Sequence, residues 1–241
     1  MRNGGTAMKS YGFEQRSLEW YSVRAGVVTA SEIDALVSPL FSPRDGKGVA
    51  TYLAQKLAEK WTGGGLPEYV SDEMEYGMQM EESARKFYEK KCGQEILKVG
   101  FISSDDGTIG CSPDGIIGGD EGLEIKCPSA KTHVGYLLAD CVPLEYRTQV
   151  QFGLYVTGFD SWTFVSYRPG FPALIKKVSP DEKAFAAFDK ALAPFLASLN
   201  DSYKLLCEKN GGEPDRNLFR EQVIAVPTVE IDLNELNETI P

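Results

Sequence analysis

Between residues 95 and 128 the apolar pattern stops following a helical period, and that change bounds the fold. EILKVGFIS (95–103) reads as a strand. GTIGCSPDGIIGG (107–119) reads as a strand, a turn and a second short strand, and LEIKCP (123–128) as a strand stopped by proline. Helical segments lie on both sides. One begins near Glu14 and carries Leu18, Trp20 and Tyr21. Another starts with Thr29 or Ser31 as its cap and Glu32 in its first turn. Residues 49–61 and 71–91 follow, separated by TGGGLP, while SPLFSPRDGKG (38–48) is a loop. After the strands come helices at 131–140 and 143–157, a strand pair at 161–167 and 173–179, and a long helix at 180–208. That last helix places Phe185, Phe188, Leu192, Phe195 and Leu199 near helical spacing. The economical reading is one α/β domain, residues 1–221, with a central mixed β-sheet flanked by helices. Residues 1–13 are Gly-rich and expected to be mobile. Residues 222–241 form an acidic tail to which no role is assigned.

Charge and composition exclude several classes. Lys and Arg total 25 against 35 Asp and Glu, a formal net charge of −10. A polycation that coats DNA nonspecifically is thereby excluded. The single histidine, His133, rules out a multi-histidine metal site within one chain. A Ser-His-Asp triad would have to run through it. If the chain is an enzyme, carboxylates and lysines carry the chemistry. Cys92, Cys111, Cys127, Cys141 and Cys207 are odd in number and lack CxxC spacing, which reads as reduced thiols in a cytosolic protein. The start has no apolar core of a signal peptide, and no apolar run reaches membrane-spanning length.

Asp114, Glu124 and Lys126 form the strongest chemical pattern. Strand side chains alternate, so Glu124 and Lys126 share a face while Ile125 points the other way. Asp114, in SPDG, closes the preceding hairpin. Two carboxylates and an amine can meet at one sheet edge. Hard divalent cations take oxygen ligands, and phosphoryl transfer needs a metal on the phosphate and an activated water. Asp-Gly is also a common hairpin turn, and Glu-x-Lys a common solvated strand face. Spacing alone leaves both readings open.

Helix 71–91 aligns Met74, Met78, Glu81 and Tyr88 near one stripe. Glu81 interrupts it, and an inward carboxylate needs a metal or a partner, here Arg85 at i+4. Gln151 and Tyr155 share a face of the 143–157 helix, with groups able to hold water or phosphate; an ordinary half-buried helix is the alternative. Arg24 and Ser31 flank a helix start, a weak signal for phosphate beside a simple cap.

Taken in order, VRAGVVTASE, YGMQMEESAR, CSPDG, LEIKCP and QVQFGLYVTG resemble the phage lambda exonuclease family, the YqaJ-type viral recombinases. The resemblance runs from Glu14 to Pro169. It implies a restriction-endonuclease-like core of PD-(D/E)xK type. It implies degradation of double-stranded DNA from the 5′ end to mononucleotides by a ring-shaped homotrimer. A single-strand annealing protein would be its recombination partner, in the cytoplasm of a bacterial host carrying the phage or prophage. Two Mg²⁺ per site are implied, with Mn²⁺ as a substitute.

By motif, the resemblance makes Asp114, Glu124 and the Ile125 carbonyl metal ligands, with Glu81 on the second metal. It makes Lys126 the lysine that activates water, and matches Gln149 to the first glutamine of the family's QVQ segment. Gln151 and Tyr155 match its QxxxY motif. Arg24, Ser31 and Ser112 match positions that hold a 5′-phosphate, Met74 an apolar wedge at the terminal base pair, and Arg44 a basic loop residue along the downstream duplex. Two rivals share these motifs: an endonuclease on the same core, and a non-catalytic DNA-end-binding recombination subunit.

Overall fold

The computed structural model describes residues 8–64 and 72–217, with residues 72–74 described in backbone only. The chain begins with β1 (Met8–Tyr11), α1 (Leu18–Arg24), β2 (Val28–Thr29), a 3-10 turn (Ala30–Ala35), α2 (Lys47–Thr62) and α3 (Asp72–Cys92). The strand-rich middle holds β3 (Ile96–Leu97), β4 (Phe101–Ser104), β5 (Ile109–Cys111), β6 (Gly115–Ile117) and β7 (Glu121–Lys126). Then come α4 (Ala130–Ala139), a 3-10 turn (Leu144–Tyr146), α5 (Arg147–Thr157), β8 (Ser161–Ser166), β9 (Leu174–Val178) and α6 (Glu182–Asn210).

The architecture is α/β, as expected, with its strands in two mixed sheets rather than one. One sheet runs β1-β4-β5-β2 and the other β3-β6-β7-β8-β9. In each, one pair is parallel, β2 with β5 and β7 with β8, and the remaining pairs are antiparallel. The expected strand 95–103 is the reason. It breaks into β3 and β4, which join different sheets. Gly100 sits at the break, where a Cβ would lie 2.0 Å from the Phe13 carbonyl oxygen.

Helix α5 binds the two sheets together. It packs on β4 and β5 of the first sheet and on β7 and β8 of the second. It is buried along most of its length, including Val150, Phe152, Leu154 and Val156. Trp162 of β8 closes the core by lying over two glycines. A Cβ at Gly122 would meet its ring at 2.3 Å, and one at Gly153 at 2.6 Å. Tight packing of this kind leaves no room for a methyl group. Phe185, Phe188, Leu192, Phe195 and Leu199 of α6 cover the same core, as their spacing predicts. A smaller cluster of Ala84, Tyr88, Ile96, Leu123, Ile125 and Val165 seats α3 on the five-stranded sheet.

Three local expectations are corrected. Residues 8–11, read as part of a mobile start, form a strand paired with β4. The first helix starts at Leu18, after Ser17 accepts the Trp20 N–H at 3.2 Å. The segment after Thr29 is a six-residue 3-10 turn without a side-chain cap. Thr29 donates to Glu32 Oε2 at 2.6 Å instead of accepting from the turn. The tail 222–241 lies outside the described residues. Among the described residues no helix is long and apolar enough to cross a membrane.

Candidate active site

Asp114 immediately precedes β6 and ties it to β7. Its N–H donates to the Leu123 carbonyl at 2.9 Å, and its Oδ2 accepts the Ile125 N–H at 2.5 Å. Alternation along β7 sends Ile125 toward α3 and Glu124 with Lys126 to the opposite face. There Lys126 Nζ meets Glu124 Oε1 at 2.7 Å, and Gln149 Nε2, from α5, donates to the same oxygen at 2.6 Å. Glu124 is buried at 3% exposure, so these partners are what make its charge tolerable. Lys126 Nζ also stands 4.9 Å from the centre of the Tyr146 ring.

The electrostatics are those of crowded carboxylates. Burial, then Glu124 and Glu81, push the Asp114 carboxyl well above its usual range, against the pull of Lys126 and the Ile125 N–H. Burial lowers the Lys126 pKa, but Glu124 and Asp114 outweigh it and hold the ammonium protonated. The Cys127 thiol is pushed up to about 12 by burial and then by Asp114 and Glu81. It is an unreactive neighbour, not a nucleophile.

Glu81 has the ion-pair partner its spacing allowed. Arg85 Nη2 meets its Oε1 at 2.8 Å, and Arg16 Nη2 meets its Oε2 at 3.4 Å. Arg85 also donates through Nε to the Asp114 carbonyl at 2.9 Å and pairs with Glu82 at 2.5 Å. Glu81 is thus near enough to raise Asp114 and is committed to two guanidiniums. Among the described residues no three His, Cys, Asp or Glu side chains form a ready-made metal cage.

A second cluster lies beside the first. Arg24 Nη1 donates to Ser112 Oγ at 3.0 Å, and Nη2 reaches Thr29 Oγ1 and Ser31 Oγ, each at 3.4 Å. The guanidinium lies 4.0 Å over the Trp20 ring, and Trp20 Nε1 donates to the same Ser112 Oγ at 3.0 Å. Arg24, Ser31 and Ser112, predicted to act together, are therefore brought together. Ser112 and Asp114 stand two residues apart just after β5 ends at Cys111, so the two clusters flank one strand end.

The remaining predicted residues fall elsewhere. Gln151 Nε2 donates to the Ser179 carbonyl and its Oε1 accepts the Asp181 N–H, each at 2.9 Å. It ties β9 to the start of α6. The Tyr155 hydroxyl donates to Asp189 Oδ1 at 2.6 Å, and its ring packs with Phe152, Phe185 and Phe188. Both face α6, because α5 is buried on nearly every side and its QxxxY face meets protein. Arg44 is exposed on its loop. Met74 belongs to α3, but its side chain lies outside the described residues.

Sequence reasoning missed Arg16, Trp20, Tyr146 and Arg168. Arg168 stacks 4.5 Å over Tyr76 and donates to the Pro128 carbonyl at 3.1 Å, at the end of β7. Apart from the i,i+4 stacking of Arg24 on Trp20, these contacts join residues distant in sequence and leave no periodic signal. His133 is fully buried, with Nδ1 2.7 Å from Ser166 Oγ and Nε2 2.9 Å from the Pro172 carbonyl. A carbonyl only accepts, so Nε2 carries the proton and the ring faces no acid as a triad histidine would.

Paired acids and a lysine on the central strands of a mixed sheet, flanked by helices, define a restriction-endonuclease-like fold of the lambda exonuclease kind. The chain belongs to the YqaJ-like viral recombinase domain family, whose profile matches residues 19–160. It resembles the alkaline exonuclease LHK-Exo of Laribacter hongkongensis at 27% identity and TM-score 0.71, covering 80% of this chain and 97% of that one. A structure of LHK-Exo in complex with dAMP matches at 28% identity and TM-score 0.70, with the same coverage. A phage related exonuclease from Haemophilus somnus 129PT, 12% identical at TM-score 0.56, shares the fold. Uncharacterized protein R354 of Acanthamoeba polyphaga mimivirus is 30% identical over 167 residues, 64% of this chain. The chain spans 29% of that relative's length.

Proposed function

We propose that this chain is a nuclease that degrades double-stranded DNA from phosphorylated 5′ ends, 5′ to 3′, with Mg²⁺ as its metal. The observation that carries the reading is the convergence of Asp114, Glu124 and Lys126, with Gln149 on Glu124, where β6 begins beside β7. Family membership and the likeness to LHK-Exo support a nuclease. The dAMP bound by that relative is a mononucleotide and supports release of mononucleotides here.

The donor set fits a hard divalent cation. Asp114 and Glu124 offer carboxylate oxygens, with the Ile125 carbonyl beside them. Burial and then repulsion from Glu124 and Glu81 raise Asp114, and a bound cation would offset both. Glu81 would join only by giving up Arg85 and Arg16. Mg²⁺, or Mn²⁺ in its place, would supply positive charge to the scissile phosphate.

The chain's own groups do the rest. Gln149 and Lys126 hold Glu124 in place from two sides. Lys126 presents a protonated Nζ that orients the attacking water and stabilises charge developing on the phosphate. Arg24, Ser31 and Ser112 bind the terminal phosphate and so register the first phosphodiester on the acids. A homotrimeric ring around DNA and a single-strand annealing partner belong to the same reading and rest on the resemblance.

The test is digestion of end-labelled linear duplex DNA with Mg²⁺, comparing 5′-phosphate ends, 5′-hydroxyl ends and closed circles. Mononucleotides from phosphorylated ends with circles intact are expected. Cut circles would replace the reading with an endonuclease. No cleavage with Mg²⁺ or Mn²⁺ would leave an end-binding subunit.

A further inference from the structure

Arg24 is linked back to its own backbone through a closed circuit of polar groups. Its Nη2 reaches Thr29 Oγ1 at 3.4 Å, and Thr29 donates to Glu32 Oε2 at 2.6 Å. Lys56 Nζ meets that same carboxylate oxygen at 2.6 Å and Glu59 Oε2 at 2.8 Å. Glu59 Oε2 in turn accepts the N–H of Gly26 at 3.2 Å, two residues beyond Arg24. Gln55 Nε2 ties the two carboxylates together, at 2.9 Å from Glu32 Oε1 and 3.0 Å from Glu59 Oε1. Helix α2, which supplies Gln55, Lys56 and Glu59, lies against the turn after Arg24. A Cβ on Gly26, at φ +75°, would stand 2.7 Å from Lys60 Cβ.

Lys56 is only 2% exposed. A buried ammonium is a poor device for stability, since apolar residues of similar size commonly serve as well. Its placement has an electrostatic consequence. Burial raises the Glu32 carboxyl, but Lys56, Thr29 and Arg24 together hold it below its usual range. Lys56 does so by direct contact, and Arg24 from beyond Thr29. Arg24 is therefore positioned to take over Glu32 if the ammonium is removed.

We propose that Lys56 is a positioning residue of the DNA-end pocket: by engaging Glu32 and Glu59 it keeps Glu32 from drawing in the Arg24 guanidinium, and so sets the preference for a phosphorylated 5′ end. The proposal rests on the nuclease reading above. It predicts that two substitutions on one circuit differ: one lowers the preference and the other does not. Lys56→Met strengthens the pull of Glu32 on Arg24. Glu32→Gln removes that pull while an amide oxygen still accepts from Thr29. A merely structural circuit would suffer in the same direction from both.

The experiment measures kcat and KM on linear duplex DNA with 5′-phosphate or 5′-hydroxyl ends, in Mg²⁺, with thermal melts of each protein. In Lys56→Met the ratio of kcat/KM for phosphate over hydroxyl ends should fall by about tenfold, mostly through KM. In Glu32→Gln it should equal or exceed that of the unaltered protein. A fall in both, or no change in either, overturns the proposal. If Lys56→Met does not fold, Glu32→Gln decides: a ratio at or above the unaltered protein supports the proposal, and a lower one overturns it. An unaltered protein that cleaves both ends equally would sink the end-pocket reading itself and the role of Lys56 with it. A clear preference left untouched by both variants would sink the role of Lys56 alone.

Discussion

Gln149 Nε2 donates to Glu124 Oε1 at 2.6 Å, the oxygen that also takes Lys126 at 2.7 Å. One carboxylate oxygen is therefore oriented from α5 and from its own strand. Groups that orient a metal-binding carboxylate typically matter by about 10–100-fold in affinity or activity. Gln149→Ala should cost activity on that scale and raise the Mg²⁺ concentration for half-maximal rate. Titrating Mg²⁺ against cleavage of linear duplex checks both. An unchanged Mg²⁺ requirement would detach Gln149 from the metal-binding acid.

Lys126 faces Glu124 and the Tyr146 ring, and its ammonium is kept charged by the acids around it. Its work in the proposed reaction is on the water and the phosphate, not on gripping DNA. Lys126→Ala should retain duplex binding, read by fluorescence anisotropy, and lose cleavage by about 10²–10³-fold. Normal turnover would remove Lys126 from the reaction.

What could be read in advance divides along physical lines. The Glu124–Ile125–Lys126 alternation was legible because a strand has only two faces, one of them claimed by the apolar α3 contact. The face of Gln151 and Tyr155 was not, because α5 is enclosed by both sheets and by α6. Hydrogen-bonding side chains there serve neighbouring protein as readily as a ligand. The break at Gly100 was also hidden, since it depends on the approach of Phe13, far away in sequence. Ser112 could be joined to Arg24 and Ser31 only through family resemblance, and nothing in the pattern of the 49–61 helix sets Lys56 apart.

Tyr155 and Gln151 accordingly carry a stability prediction. Tyr155→Phe loses the hydroxyl bond to Asp189 and should cost about 0.5–1.5 kcal/mol. Gln151→Ala leaves the Ser179 carbonyl and the Asp181 N–H without their amide and should cost about 1–3 kcal/mol. Denaturant unfolding measures both. Nuclease rates of the folded variants should match the unaltered protein, and a specific loss of turnover would return these residues to the site.

Asp114 gives the pH dependence of stability. Its carboxyl is raised by burial and by Glu124 and Glu81, so between its unfolded and folded pKa values the native protein binds more protons than the unfolded chain. Stability must then fall as pH rises through that window, which opens at about 3.9. Without metal, ionising this carboxyl in the native protein is a net cost. Asp114→Asn removes the cost and keeps an oxygen for the Ile125 N–H. In chelator, the melting temperature of Asp114→Asn should exceed that of the unaltered protein by a margin that widens from pH 4 upward. Each kcal/mol corresponds to about 2–4 °C for a chain of this size. Adding Mg²⁺ should raise the unaltered protein and close the gap, because binding to the native state alone stabilises it. Parallel pH profiles for the two proteins, with no response to Mg²⁺ in either, would show that Asp114 is not the strained acid of a cation site.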